Sequence, residues 1–522
     1  MKNNPMVMII GLVIILTWVA WRILEYVWLR PKKLEKWLRK QSFKGNNYRL
    51  WHGDLKDMNR MNADAFSKPI SLTDDILPRV VPFHHHIIQK YGKKSFIWHG
   101  PTPRVHIMEP ELIREILFKY NTFRKPMSQP LVSLLVSGVV FYEGEKWAKH
   151  RRILNPAFKL DNLKHMLPAI YESCSSIIEK LEKVVTENEE VEVDMWPYLG
   201  NLSADVISRT TFGSCYEEGK RIFQLQTEQS RLTFSVLQSN YISGWRFLPT
   251  KTNKRMKQIH TEVRELMKGI LNKRIKLGEA RNDDDLLGIL MESNLREIQK
   301  FENSKLNRAG AGRQPEPGIT IEELIEECKL LYFAGQETTS NLLAFTMVML
   351  AKHKDWQTRA RQEVLGNNIL DFDTLNHLKI VTMILYEVLR LYPPAMTMGR
   401  KIDEVTKLGD ATLPAGVELV LPIILVHHDT EIWGEDANEF KPDRFSEGVA
   451  KATKGQLASF FPFSSGPRIC LGQHLALMEA KMAIAMFLQH FSFELSPSYA
   501  HAPFPILTLQ PQLGVNLLLH KI

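Results

Sequence analysis

The chain of 522 residues is 44% hydrophobic and 24% charged, a globular composition long enough for one large core or several domains. Its formal charge of +9 suits an acidic partner or a phospholipid surface, but no basic stripe interleaved with aromatics occurs, which argues against nucleic acid. The four cysteines, Cys174, Cys215, Cys328 and Cys470, have neither zinc-ligand nor C-x-x-C spacing, which excludes a zinc module and fits a reducing compartment.

Met6 to Ala20 is a mostly apolar run that continues to Leu29, broken only by Arg22 and Glu25. About 20 such residues cross a bilayer, and the two late charges can snorkel to its edge. A cleaved signal peptide is the alternative; the single Lys2 ahead of the run and the tryptophans after it fit that poorly. Arg30, Lys32, Lys33, Lys36, Arg39 and Lys40 follow, so the positive-inside rule keeps what comes next in the cytosol. The expected division is 1–30 as transmembrane anchor and flank and 31–522 as one catalytic domain. On that side of the membrane the acceptor pattern Asn201-Leu202-Ser203 goes unused.

Helical periodicity then dominates, around Glu109 to Tyr120, Asp161 to Val185, Ala204 to Phe212, Asn253 to Lys276 and Leu475 to Phe491. Ser95 to Trp98 with Arg104 to Met108 reads as a hairpin, and Val417 to Val426 as a strand after a turn. His84-His85-His86 lacks a ligand-spaced partner and reads as an exposed or partly packed helix start; His427 and His428 read as structural. Trp147 and Arg151, four apart, share a helix face, as in any amphipathic helix with a half-buried tryptophan. Lys149, His150 and Arg152 form a basic group with them, either a docking face or a solvated one.

A loop over Asn303 to Gly318 ends at Thr320-Ile321-Glu322-Glu323, a capping box. The helix it starts runs about thirty residues and carries Ala334-Gly335-Gln336-Glu337-Thr338-Thr339 at its middle. The small Ala334-Gly335 pair allows close approach of a bulky group, and Glu337 with Thr338 sets a carboxylate beside a hydroxyl. Downstream, Glu387 and Arg390 are three apart among apolar flanks, which argues for a buried pair. Finally, Phe463-Ser464-Ser465-Gly466-Pro467-Arg468-Ile469-Cys470-Leu471-Gly472 puts a cysteine after a turn, near an arginine, where Gly472 opens a helix. A thiol there has a depressed pKa and backbone N–H donors, as a metal-bound thiolate needs.

The spacing of Phe463, Gly466, Arg468, Cys470 and Gly472 resembles the haem-binding loop of the cytochrome P450 family. The resemblance implies a mainly α fold with a small β region, haem b as cofactor, and Cys470 as its axial thiolate, whose electron donation favours O–O cleavage. It implies that Ala334, Thr338 and Glu337 belong to the oxygen-activating helix, with the acid and alcohol relaying protons. Trp147 and Arg151 would meet the haem, Arg400 would be a second propionate-binding arginine, and Phe463 and Gly472 would frame the ligand loop. Glu387, Arg390 and Arg444 would form a buried network supporting that loop.

Gly144–Arg152, Leu331–Thr339 and Ser496–His501 are similar to plant members of family 72, subfamily A, a group with secologanin synthases, 7-deoxyloganate hydroxylases and oleanane-type triterpenoid oxidases. Ser465 departs from it, standing where relatives carry tryptophan. The implied activity is NADPH-driven hydroxylation of a plant terpenoid, first an oleanane-type triterpenoid, then an iridoid or a gibberellin. Its partners would be O2, membrane lipid, a hydrophobic small molecule and NADPH-cytochrome P450 reductase, at the endoplasmic reticulum. The pocket would be walled by Ser128–Val139, Leu330–Ala334, Ala395–Met398 and Phe504–Ile506. A haem-thiolate isomerase and a non-catalytic haem binder are the rival readings.

Overall fold

The computed structural model describes residues 5–126, 129–185, 190–213, 216–238, 245–276, 285–306, 318–366 and 370–522. Cys215 and residues 307–317 of the expected loop lie outside the described residues, while 303–306 finish a helix.

Helix α1 (Pro5–Leu24) passes through a π-helical stretch, Glu25–Leu29, into α2 (Arg30–Lys40). The Met8–Lys40 helix has a window of mean hydropathy 2.0 in which no residue is buried. An apolar helix with no protein to bury its surface is suited to a bilayer. Its foot is fixed to the globular body: Trp37 Nε1 donates to Thr412 O at 2.8 Å and Tyr48 Oη to Val27 O at 2.6 Å.

The main sheet comprises β1 (Lys44–Gly45), β2 (Ser95–His99), β3 (Thr102–His106), β4 (Phe123–Arg124), β5 (Met398–Ile402) and β6 (Glu418–Leu421), in the order β1-β2-β3-β6-β5-β4 among the described residues. The expected hairpin is β2–β3, with Phe96 opposite Val105. The strand expected over Val417 to Val426 stops at Leu421. Pro422 cannot donate to a ladder, and Ile423–His427 turn helical; an apolar run alone does not distinguish a buried strand from a buried helix.

The body is helical: α3 (Pro110–Phe118), α4 (Gly144–Leu154), α5 (Leu167–Val184), α6 (Met195–Phe212), α7 (Lys251–Lys276), α8 (Leu286–Leu306), α9 (Ile321–Lys352), α10 (Lys379–Leu391) and α11 (Gln473–His490). The capping box forms as expected, with Glu323 N donating to Thr320 Oγ1 at 3.1 Å and Thr320 N to Glu323 Oε2 at 3.2 Å. Helix α9 then runs 32 residues and is buried on almost every side, which explains its weak amphipathicity. It lies against α6 so closely that a Cβ on Gly335 would collide with Ile207. The missing side chain at Gly335 thus serves helix packing as well as the wall of the cavity, where the sequence suggested room for a ligand.

Candidate active site

A cavity of about 320 Å³ opens between α4, α9 and the loop before α11. Trp147 and Arg151 of α4, Ala334 and Thr338 of α9, and Phe463, Arg468, Cys470 and Gly472 of the loop before α11 all line it. Residues 300 apart in sequence therefore share one apolar chamber, as small-molecule sites require.

The cysteine loop is shaped by its backbone. Gly466 has φ +70°, and a Cβ there would come within 2.9 Å of Leu117 O of α3, so glycine is needed on both counts. Cys470 N donates to Phe463 O at 2.9 Å, folding the loop back on itself. Cys470 is exposed to the cavity; its apolar surroundings push the thiol up, contrary to the depressed pKa expected from sequence, while the Gly472 and Gln473 N–H groups and the Arg151 cation pull the other way. Arg468, expected beside the thiol, is engaged elsewhere. Its Nη2 meets Glu143 Oε2 at 2.8 Å and Tyr142 O at 3.0 Å, and its guanidinium lies over the Trp147 ring at 4.5 Å. Arg151 is the arginine at the thiol, its Nη1 donating to Ile469 O at 2.8 Å.

Arg468 and Arg400 are both buried, yet Arg468 Nε and Nη1 and Arg400 Nε find no acceptor. Burial, with Arg468 close by, holds the Arg400 guanidinium down to about 10. Lys125, which the sequence reading missed, lines the same cavity and is pushed down to about 7 by burial and by Arg400 and Arg468. Glu143 is the carboxylate set against these cations. A buried cation without a counter-charge is costly, so the cluster suits a ligand that carries its own carboxylates. A Cβ on Gly472, on the cavity wall, would meet nothing within 4 Å. A thiol, an open cradle and unsatisfied guanidinium nitrogens fit haem b and its propionates.

On the helix side, Thr338 Oγ1 donates to Ala334 O at 2.6 Å, across one turn. Glu337 does not line the cavity. Its Oε1 accepts from Thr508 Oγ1 at 3.0 Å and Gln510 Nε2 at 2.6 Å, beside and on the short strand Leu509–Pro511, and burial raises its pKa. The expected acid–alcohol neighbours therefore face different surroundings in this conformation. Arg400 is not among the residues that line the cavity; it is buried on β5 opposite Leu419, close enough to Arg468 to feel its charge.

The Glu387 network forms as read. Arg390 Nε and Nη2 each meet the carboxylate at 2.8 Å, Arg444 Nε lies 3.4 Å from Oε1, and Lys441 N donates to Oε1 at 2.9 Å. Arg390 Nη1 also donates to His427 O at 2.8 Å, and Phe461 N donates to His427 Nε2 at 3.2 Å, so the network reaches the segment before the cysteine loop. His427 and His428 are buried and structural, as expected. His150 is not part of a basic surface: it is wholly buried, with Nδ1 2.7 Å from Glu327 Oε1. Of the expected pocket walls, Val139, Leu330, Leu331, Ala334, Ala395 and Met398 contribute and Phe504–Ile506 do not; Ile207 and Leu286 take part instead. Glu479 of α11 is also on the wall, and a lone acid in an otherwise apolar helix was the signal that could have found it.

A helical fold that gathers a cysteine thiol, a helix-borne hydroxyl and guanidinium groups with unmet nitrogens around one apolar cavity fits the class of haem-thiolate oxidoreductases. Residues 79–518 match the family model for cytochrome P450. The chain is 57% identical over 516 residues to cytochrome P450 CYP72A219 of Panax ginseng, covering 98% of this chain and 97% of that one. It is 52% identical over 516 residues to 7-deoxyloganic acid hydroxylase of Catharanthus roseus, covering 97% of each. Among solved structures, retinoic acid bound cyanobacterial CYP120A1 superposes with a TM-score of 0.72 at 22% identity, over 90% of this chain and 97% of that one, a likeness of fold. The chain belongs to the cytochrome P450 family, as a plant member related to its 72A group and a monooxygenase using haem b.

Proposed function

We propose that this chain is an anchored terpenoid hydroxylase of the endoplasmic reticulum, with residues 1–30 as anchor and flank and 31–522 as catalytic domain. Cys470 is its haem ligand. The observation that carries the reading is that Cys470 and Thr338 line one apolar cavity beside guanidinium nitrogens that lack acceptors. Arg468, Arg400 and Arg151, joined by Lys125, would hold the propionates, and Trp147, Phe463, Ala334 and Gly472 would bound the ring. Haem, when bound, supplies the activation of dioxygen that puts one oxygen atom into a C–H bond, with NADPH electrons delivered by a cytochrome P450 reductase. Thr338 holds a proton at Oγ1 facing the chamber. Glu337, held by Thr508 and Gln510, would reach the site only by rotating off them. The aliphatic wall, with Val139, Ile207, Leu286 and Leu330, excludes water and orients a hydrocarbon skeleton.

That wall offers little to the hydroxyls of a glycoside, which supports an oleanane-type triterpenoid as substrate. The hydroxylase relative from Catharanthus roseus favours a second reading, an iridoid acid. Microsomes containing the full chain and a plant reductase, fed triterpenoids, iridoids and gibberellins with NADPH, should yield a product heavier by one oxygen. The reduced, CO-treated protein should show the red-shifted band of thiolate-ligated haem. An unchanged band after Cys470→Ala would remove Cys470 from the site, and turnover of iridoids alone would replace the triterpenoid reading.

A further inference from the structure

The wall segment 131–140 presents Val139 and Val140 to the cavity, yet its described main-chain bonds are single turns to near neighbours between Gln129 and Tyr142, as in Leu135 N to Val132 O and Phe141 N to Gly138 O. No sheet or helix ladder fixes where it lies, so side chains must. Two of them come from the first turns of α9, outside the cavity. Glu327, fully buried, accepts from Val139 N through Oε2 at 3.1 Å while its Oε1 is 2.7 Å from His150 Nδ1 on α4. Lys329, also buried, reaches Leu134 O at 3.3 Å, His260 Nδ1 of α7 at 3.2 Å and Glu326 Oε2 at 2.8 Å. His260 Nδ1 itself lies 3.1 Å from Leu134 O. The fit at Glu327 is close: a Cβ on Gly138, whose φ is +85°, would sit 2.7 Å from Oε2.

We propose that Glu327 and Lys329 are positioning residues that clamp the 131–140 loop at its two ends and thereby set the shape of the substrate chamber. The inference rests on reading Val139 and Val140 as substrate-facing. Both clamps grip backbone atoms, so they hold the loop whatever side chains it carries. Because His150 shares its helix with Trp147 and Arg151, the Glu327 clamp also ties the loop to the wall that bounds the haem space. Charged groups make the stronger hydrogen bonds, and buried ones are the most costly to strand, so the loop should have one preferred seat.

The test uses the full chain loaded with haem. In Glu327→Ala and Lys329→Met, amide hydrogen exchange over 131–140 should quicken about tenfold, which corresponds to roughly 1.4 kcal/mol of local opening. The regioisomer ratio should broaden and the spectral Kd for the bound terpenoid should rise, while the CO band stays red-shifted. Glu327→Gln, which keeps an acceptor for Val139 N and a polar contact for His150, should restore both. If Glu327→Ala fails to take up haem, Gly138→Ala pushes the same loop off the same carboxylate with the charge intact and should give the same exchange. Unchanged exchange in the variants overturns the clamp, and faster exchange with an unaltered product ratio and Kd overturns its part in specificity. If the wild-type chain binds no terpenoid, the functional proposal fails while the exchange measurement still decides the clamp.

Discussion

Glu479 offers the most quantitative test of the folded core. It is buried on α11 beside Cys174 of α5, its Oε1 has no hydrogen-bond partner, and burial pushes its carboxyl up to about 8, opposed only weakly by the Ser203 hydroxyl. In the unfolded chain the same group titrates near the ordinary glutamate value of 4.5. Below that value both states hold the proton. Between 4.5 and about 8 the folded state keeps a proton that the unfolded state releases, so stability falls with rising pH, by about 1.4 kcal/mol per unit. From pH 5.5 to 7.5 the loss attributable to Glu479 is roughly 2–3 kcal/mol. Glu479→Gln, always neutral, should remove that slope. Urea unfolding of the detergent-solubilised protein, followed by tryptophan fluorescence at several pH values, reads the difference between the two. Equal slopes for wild type and variant would show that Glu479 ionises normally in the fold and refute the burial argument.

Arg390→Ala removes the two-pronged partner of Glu387, leaving it Arg444 and Lys441 N, and frees the carbonyls of His427, Ala437 and Glu439; it should cost about 3 kcal/mol, read as lost haem content and a lowered urea midpoint. Gly335→Ala forces α9 away from Ile207 and should cost roughly 1–3 kcal/mol, with Ile207→Ala in the same chain recovering part of it in a double-mutant cycle. Arg400→Gln removes one of the unsatisfied cations and should speed haem transfer to an acceptor protein, whereas an unchanged rate would place Arg400 outside the propionate site. Gln510→Leu releases Glu337 from one of its two described donors; oxygen consumption per product should change if the acid takes part in proton delivery and stay constant if its role is structural.

The fold class was legible in the sequence because its signals are local. The α9 cap is written in four residues, Thr320 to Glu323, and the apolar N-terminal run needs only its length. The glycine at 466 follows from a turn that a side chain would block. The Glu387–Arg390 pair needs one helical turn and apolar flanks, and both were visible.

What the sequence could not express was direction and company. It put Glu337 next to Thr338, but the partners that draw the carboxylate away, Thr508 and Gln510, are about 170 residues downstream and meet it only when the chain closes. It set Arg468 two residues from Cys470, yet the side chain reaches Glu143 and Trp147, leaving Arg151 of another helix at the thiol. His150 stood in a basic run and became a buried partner of Glu327. Burial and electrostatics are properties of space, not of order along the chain, so ligand type and helix positions were fixed by sequence. The charge balance of the chamber, the use of Gly335 for packing and the seat of the 131–140 loop were decided by tertiary contacts.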